Sequence, residues 1–391
     1  MSKKRDLTGL RDETKLALAG RDHARGDGAV NPPIHRASTI ILDEVAVLYD
    51  DHTRTYGLEG MQVHEALQAA LLAVEGGESA TLAPSGLMAC TLAILTLARE
   101  GGEMLLVDSC YRPTRRFCDR MLKRLGVTTR YYDPRIGSGI ADLITEKTFA
   151  VFMESPGSLT FEIQDVPAIA AAAKARDVPT IIDNTWSAGL YFKPFTHGVD
   201  LSIQALTKYQ GGHADLLAGA VLSRTKAMGA RVRAAAKELG VGCSPDDAYS
   251  ALRGMRTMAA RLKQQSASAL RIAGWLAERG EVAQMLHPAL PSHPDRALWK
   301  RDFSGASGLF GLVLHPVADT RLAAMLEGME IFSMGFSWGG YESLIVPCDP
   351  QIERTAVPWP QQGPLLRFSI GLEHADDLIA DLDKGFARLA G

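Results

Sequence analysis

The chain is predicted to fold as an α/β protein, with a mostly parallel sheet in a large domain and a smaller C-terminal α/β domain. Three observations predict this. Short apolar runs alternate with helical stretches up to about residue 223. Several of those runs are apolar throughout rather than at every second position, which suits strands buried on both faces. The helical stretches between them supply the crossovers that parallel strands require. At 391 residues, more than one core is expected.

Taken in order, residues 1–58 lack sustained periodicity and carry Gly20, Gly26, Gly28, Pro32 and Pro33, so they read as an extended N-terminal arm. Residues 59–250 are assigned to the large domain. A helical pattern from Val63 to Val74 stops at Gly76-Gly77. Met104–Asp108, Thr128–Tyr132, Phe149–Glu154 and Pro179–Asp183 read as strands, and so does the run from Val199 that leads into Thr207-Lys208. Leu216–Ser223 ends the series. Thr114–Leu125, stopped by Gly126, and the Ala-rich Val166–Arg176 are the helices between them.

Near residue 250 the texture changes, and residues 251–391 are assigned to the second domain. Ala248–Ala277 is a long helical pattern with Arg and Lys on one side, followed by the breakers Pro288, Pro291 and Pro294. Gly308–Leu314 and Leu365–Ile370 read as strands, and Asp377–Leu389 as a closing helix.

Composition narrows the function classes. A formal net charge of −3 offers no basic surface for nucleic acid or an anionic membrane. No apolar stretch is long enough to span a bilayer, and the basic start Met1–Asp6 has no apolar core behind it, so a cytoplasmic location is expected. Five cysteines form no CxxC pair and are odd in number, which argues against both a disulfide framework and a metal cluster. Cys110 and Cys118 lie near Tyr111. A reactive thiol is one reading, and reduced thiols in or beside a core are the favoured one.

Asp183 and Lys208 carry the strongest chemical signal. Asp183 closes the apolar run from Val178 and so delivers a carboxylate at the carboxyl end of a strand. Lys208 follows the run from Val199. A lysine backed by an acid from a neighbouring strand is what pyridoxal phosphate chemistry needs: the amine bonds to the cofactor's aldehyde carbon, and the acid keeps the pyridine nitrogen protonated. Ligands of such sheets sit beyond the carboxyl ends of the strands, where both residues lie. The turn Ala83-Pro-Ser-Gly86-Leu87-Met88 runs into a helical stretch whose free N–H groups suit a phosphate, although small residues at a helix start are more often only a cap. Thr207 offers a hydroxyl to the same group. Tyr111 suits stacking on a pyridine ring and proton transfer, or plain packing on its loop.

These residues also match a family in order and spacing. Tyr56-Gly57, Ser85-Gly86-Leu87, Tyr111, Glu154-Ser155-Pro156-Gly157, Asp183-Asn184-Thr185-Trp186 and Thr207-Lys208-Tyr209 form a series. It continues with Ser337-Trp338-Gly339-Gly340-Tyr341-Glu342-Ser343 and Leu366-Arg367-Phe368-Ser369-Ile370-Gly371-Leu372-Glu373. From about residue 15 onward the chain resembles the Cys/Met-metabolism family of fold-type-I pyridoxal phosphate enzymes, most nearly the bacterial cystathionine β-lyases in it. The resemblance implies a fold-type-I PLP-dependent transferase-like architecture, with Lys208 as the Schiff-base lysine, Asp183 on the pyridine nitrogen and Tyr111 stacked on the ring. It implies phosphate binding by the amides of Gly86 and Leu87 and the hydroxyl of Thr207. Tyr56 is implied to reach a neighbouring subunit's phosphate and substrate, making a dimer the minimal unit and a tetramer the usual state. Arg367 is implied to grip the substrate α-carboxylate, with Ser337 and Trp338 in the same pocket.

Three features favour β-elimination within the family. Gly157 and Ser158 stand where γ-acting members carry an asparagine motif, Ala205-Leu206 precedes Thr207-Lys208 in place of Ser-Ala, and Trp338 replaces a leucine. The implied reaction converts cystathionine to homocysteine, pyruvate and ammonia, a step of methionine biosynthesis. Lys208 and Tyr111 are then the catalytic residues. A broader cysteine-S-conjugate or cystine lyase is the second reading, a γ-lyase or sulfhydrylase ranks below it, and a non-catalytic cofactor-binding protein is last. Leu58 and Glu59 depart from the family, which commonly places arginines after Tyr-Gly. Arg115 and Arg116 occupy a stretch where related β-lyases can carry an acid. An exchange of distal substrate-reading charges between these two loops is one expectation, and neutral drift on a wet rim is the other.

Overall fold

A computed structural model describes residues 6–22, 27–50 and 53–390. Parts of the expected arm, residues 1–5, 23–26 (with Gly26) and 51–52, lie outside the described residues. Seven strands build the large sheet: β1 Ser79–Ala83, β2 Glu103–Val107, β3 Thr128–Tyr132, β4 Thr148–Glu154, β5 Thr180–Asp183, β6 Leu201–Gln204 and β7 Gly219–Ser223. Their order is β1-β7-β6-β5-β4-β2-β3. The pairs from β3 to β6 are parallel, whereas β7 is antiparallel to both β6 and β1. Six strands therefore point one way and β7 alone runs against them.

Both faces of this sheet are covered. Leu92 and Ile94 of the helix Gly86–Leu97 and Ile169 of the helix Val166–Lys174 share one hydrophobic core with Leu105, Val151 and Ile181 of the sheet. A second core gathers Leu67 and Leu71 of the helix Gln62–Glu75 with Leu82 and Leu222. Burial on both sides explains why β2 and β4 are apolar at successive positions. β1 was not legible in the sequence. Its Ser-Ala-Thr-Leu-Ala composition carries little strand propensity, and pairing with β7 and complete burial hold it in place.

A single 33-residue helix, Pro245–Ala277, joins the two sheets. Leu252, Met255, Met258 and Leu262 belong to the large-sheet core, and Ala269, Ile272 and Leu276 to the core of the second sheet. The second sheet is antiparallel, in the order β10-β11-β9-β8: β8 Val282–Leu286, β9 Leu309–Leu314, β10 Leu344–Pro347 and β11 Leu365–Ser369. The closing helix, Ala375–Ala390, buries Leu378, Leu382 and Phe386 against it. In the arm, one short helix, Asp12–Leu18, buries Leu16, and an isolated bridge joins Thr39 to Tyr56.

The stretch after β2 also differs from the even helix expected over 114–125. It forms an α-helix over Arg112–Phe117 and then a π-helical turn over Cys118–Leu122. Among the described residues, no helix is long and apolar enough to cross a membrane, and no group of His, Cys, Asp and Glu could hold a metal ion.

Candidate active site

A cavity of about 250 Å³ opens at the carboxyl ends of the parallel strands. The strand directions dictate what meets there. β5 delivers Asp183, the turn after β6 delivers Thr207 and Lys208, β4 delivers Glu154, and the turn after β2 delivers Tyr111. Gly86 and Leu87 enter from the turn after β1, and the second domain contributes Trp338 and Arg367. Eight of the residues singled out in the sequence thus line one cavity: Gly86, Leu87, Tyr111, Asp183, Thr207, Lys208, Trp338 and Arg367. Ser337 reaches it through a hydrogen bond, its hydroxyl accepting from the Lys208 Nζ at 2.8 Å.

Lys208 sits in a rigid turn. Its N–H donates to the Ala205 carbonyl at 3.0 Å, and its own carbonyl accepts from Gly212 N–H at 2.7 Å. The side chain lies 5.1 Å from the centre of the Trp338 ring. Burial, with the Arg367 cation as the next cause, lowers the amine to about 8. A neutral amine is therefore available near physiological pH, which a nucleophile or base requires.

Asp183 is held most firmly through one of its two oxygens. Its Oδ1 accepts from the Thr185 N–H at 3.0 Å and the Thr185 hydroxyl at 2.6 Å, while its Oδ2 has a Cys90 thiol at 3.8 Å. Burial raises this carboxyl, and the Thr185 bonds, the Cys90 thiol and Lys208 offset part of that. No ion pair satisfies it among the described residues, so the site holds an acid in need of a cationic N–H partner. A protonated pyridine nitrogen fits that need.

The helix Gly86–Leu97 begins at the cavity wall. Ser85 caps it, its Oγ accepting from Met88 N–H at 3.1 Å, and the first helical bond runs from Ala89 N–H to Ser85 O at 3.0 Å. The amides of Gly86 and Leu87 precede that bond and have no acceptor within the helix, which suits an anion. Glycine is required here because a Cβ on Gly86 would stand 2.5 Å from the Ala205 Cβ. The Thr207 hydroxyl exchanges bonds with one peptide: it donates to Ala218 O at 3.2 Å and accepts from Ala218 N–H at 3.1 Å. Its proton is engaged with the chain itself, a difference from the free hydroxyl the sequence suggested.

Arg367 comes from β11 and is almost wholly buried. One Nη2 donates to Ser337 O at 3.0 Å, whereas its Nε–H has no partner. A buried, unsatisfied guanidinium N–H is costly unless an anion meets it, and a carboxylate does so bidentately. Tyr111 is 44% exposed at the cavity wall. Burial first, then Cys90, Asp183 and Glu154, raise its phenol above the ordinary value, with Arg116 acting the other way. Its surroundings therefore favour the neutral phenol over the phenolate that proton abstraction needs.

Tyr56 lies outside the cavity, 54% exposed at the start of the turn Gly57–Glu59. Leu58 and Glu59 line a separate cavity of about 280 Å³, where Glu59 faces Lys237 at 3.8 Å. Arg115 is buried rather than at the rim: it pairs with Asp108, donates to the Asp108 carbonyl at 3.1 Å and lies 3.6 Å from the centre of the Tyr131 ring. Within one chain the loops of Glu59 and Arg115 do not meet.

Two acids that matter to the site gave no sequence signal of a role. Glu154 accepts from Tyr111 N–H at 2.6 Å and from the Ser158 hydroxyl, and burial followed by the nearby Asp183 raises its carboxyl far above normal. Glu75, the last residue of the helix Gln62–Glu75, is buried behind the sheet. It accepts from Asn184 Nδ2 and Gln204 Nε2, both at 2.8 Å, and from the Ser202 hydroxyl. It therefore ties the end of β5 to β6, the two strands that carry Asp183 and lead to Lys208.

A family model for Cys/Met metabolism PLP-dependent enzymes matches residues 13–387. The chain is 43% identical to a cystathionine β-lyase of Escherichia coli over 96% of its own length and 98% of that protein. It is 42% identical to a cystathionine β-lyase of Salmonella typhimurium, covering 98% of this chain and all of the relative. Among solved structures it resembles a cystathionine γ-synthase of Xanthomonas oryzae pv. oryzae in complex with aminoacrylate and cysteine, with TM-score 0.90, 29% identity and coverage of 98% and 99%.

Proposed function

Because the chain belongs to the Cys/Met metabolism family of pyridoxal phosphate-dependent enzymes, we propose that it is a carbon–sulfur β-lyase. Its substrate is cystathionine, converted with water to homocysteine, pyruvate and ammonia, a step that feeds methionine biosynthesis. The observation that carries this is the meeting of three groups in one cavity: the Lys208 amine, the buried Asp183 carboxylate and the unsatisfied Arg367 Nε–H. The near-full-length relatives named cystathionine β-lyase support the choice of substrate and bond.

Bound pyridoxal phosphate supplies an electron-withdrawing ring that stabilises negative charge at the substrate α-carbon. Of the residues that line this cavity, Asp183 would pair with the cofactor's ring nitrogen, Tyr111 would pack on its ring, and the amides of Gly86 and Leu87, with Thr207 beside them, would hold its phosphate. Arg367 orients the substrate through its α-carboxylate. Lys208, lowered to about 8, takes the α-proton as a neutral amine and returns a proton to the departing sulfur. Its hydrogen bond to Ser337 holds the amine in place meanwhile. Tyr111, with a raised phenol, serves as a neutral donor and packing surface rather than as the base. Trp338 closes the space beside Lys208, favouring cleavage at the β-carbon over a bulkier γ-branched course.

The active unit is an oligomer, a dimer at minimum and a tetramer in its usual form. The exposed Tyr56, outside its own chain's cavity, supports a role across a subunit boundary in cofactor and substrate binding. A cytoplasmic setting agrees with five free thiols. The decisive experiment is product analysis with cystathionine: pyruvate and homocysteine support β-elimination, and 2-oxobutyrate with cysteine contradicts it.

A further inference from the structure

The lyase reading leaves one feature of the cavity without a role: an exposed ion pair at its outer wall. Arg112 Nε donates to Glu353 Oε1 at 2.8 Å, and both side chains are nearly half exposed. Both residues line the same cavity as Lys208 and Arg367. They come from different parts of the fold, since Arg112 follows Tyr111 directly and Glu353 lies between β10 and β11.

The other charged groups of this outer wall are committed. Asp108 and Arg115 pair in the interior, and Asp108 also accepts from the N–H groups of Thr355 at 2.9 Å, Ala356 at 2.8 Å and Val357 at 3.1 Å. Arg354, 7% exposed, pairs with the equally buried Glu162 at 2.8 Å. These bonds clamp the backbone on the C-terminal side of Glu353. Its carboxylate is thus presented from a fixed mount toward Arg112, and this is the wall's one solvent-accessible pair among the described residues.

We propose that Arg112 and Glu353 form a subsite for a zwitterionic distal end of the substrate, an α-amino acid group carried on the far side of the sulfur. Such a group brings one ammonium and one carboxylate, the complement of Glu353 and Arg112. An exposed pair holds its partners only weakly, so exchanging each for an opposite charge on the ligand costs little. Each new contact is a charge-assisted hydrogen bond in a site that substrate entry partly desolvates. The inference rests on the lyase reading and deepens it, because it selects thioethers with an amino acid at both ends over simple S-alkyl cysteines.

The test is calorimetric titration of the holoenzyme with three uncleavable amino acids. 2,7-Diaminosuberate has the zwitterionic far end, 2-aminosuberate has only the carboxylate, and norleucine has neither. The wild type is expected to prefer 2,7-diaminosuberate to norleucine by roughly tenfold or more. Arg112→Ala is expected to weaken both suberates by about tenfold and leave norleucine in place. Glu353→Ala is expected to weaken only 2,7-diaminosuberate, and the unchanged norleucine affinity shows that the variants remain folded. Equal shifts for all three ligands, no shift for any, or a wild type without the preference would overturn the subsite. Pyruvate release from cystathionine by the same preparation keeps the lyase reading separate, since its absence contradicts that reading instead.

Discussion

Glu154 and Asp183 are register partners at the carboxyl ends of β4 and β5, two acids side by side on the floor of one cavity. Like charges this close in a buried setting resist ionising together, and burial followed by the Asp183 charge raises the Glu154 carboxyl the further of the two, so Glu154 keeps its proton while Asp183 ionises. Asp183 must be ionised to pair with a protonated ring nitrogen. Glu154→Gln keeps a neutral group at this position, so the acid limb of the kcat/KM profile is expected to stay within about half a unit of the wild type. A limb that moves down by about one unit or more would show instead that Glu154 is charged beside Asp183.

Lys208 gives a pH dependence in the apoprotein. Its amine is lowered to about 8, so the neutral, nucleophilic fraction reaches half there instead of near the ordinary lysine value of 10.5. The rate of reconstitution with pyridoxal phosphate, followed by absorbance, is expected to rise with pH and reach half-maximum near pH 8. Linkage gives the companion sign. Between pH 8 and 10.5 the unfolded chain binds more protons than the folded one, so Lys208 makes stability rise with pH in that window. Comparing wild type with Lys208→Met in denaturant titrations isolates this contribution, which the variant lacks.

The close approach at Gly86 is testable by rescue. A Cβ there would meet the Ala205 Cβ at 2.5 Å, so Gly86→Ala must push the helix start away from the turn that carries Thr207 and Lys208. Overpacking of this kind costs about 1–3 kcal/mol, and cofactor affinity is expected to fall about tenfold. Adding Ala205→Gly removes the opposing methyl and should restore most of the affinity in an equilibrium titration. If the double variant binds no better than the single one, steric contact is not the cause.

Arg367→Lys keeps the charge and loses the fork. Lysine lacks the second N–H direction that the unsatisfied Nε offers, so kcat/KM for cystathionine is expected to drop about 100-fold while cofactor absorbance persists. A drop below threefold would argue against a role for Arg367 in binding the α-carboxylate.

Glu75→Ala is expected to destabilise the folded state by about 3 kcal/mol or more, read as a fall in the denaturant midpoint. Removing this carboxylate leaves Asn184, Gln204 and Ser202 with buried donors unmet. A change under about 1 kcal/mol would show that water replaces it.

Much of the fold and of the cavity was legible in the sequence, for physical reasons that differ by residue. β2, β4 and β5 are buried on both faces, so their apolar runs are continuous, and chain direction then sends Glu154 and Asp183 to the carboxyl edge. The Ser85 cap and Gly86 marked a helix start that the fold places at the cavity. β1, β8 and β10 left weak marks because pairing and burial, rather than composition, make them strands. Glu75 carried no mark in the sequence, since nothing local signals three donors from β6 and the end of β5. Arg115 read as a rim charge because its partner Asp108 is a contact of the folded chain, not a pattern along it. Arg112 and Glu353 are 241 positions apart, and only the meeting of the two domains makes them a pair.

The most direct test is pyruvate formation from cystathionine by the wild type and by Lys208→Ala, each loaded with pyridoxal phosphate. The wild type should release pyruvate and homocysteine in equal amounts. Lys208→Ala should bind the cofactor only without a covalent bond and release no pyruvate above background. Pyruvate release by the variant at near the wild-type rate would contradict the assignment of Lys208, and with it the proposed chemistry of the site.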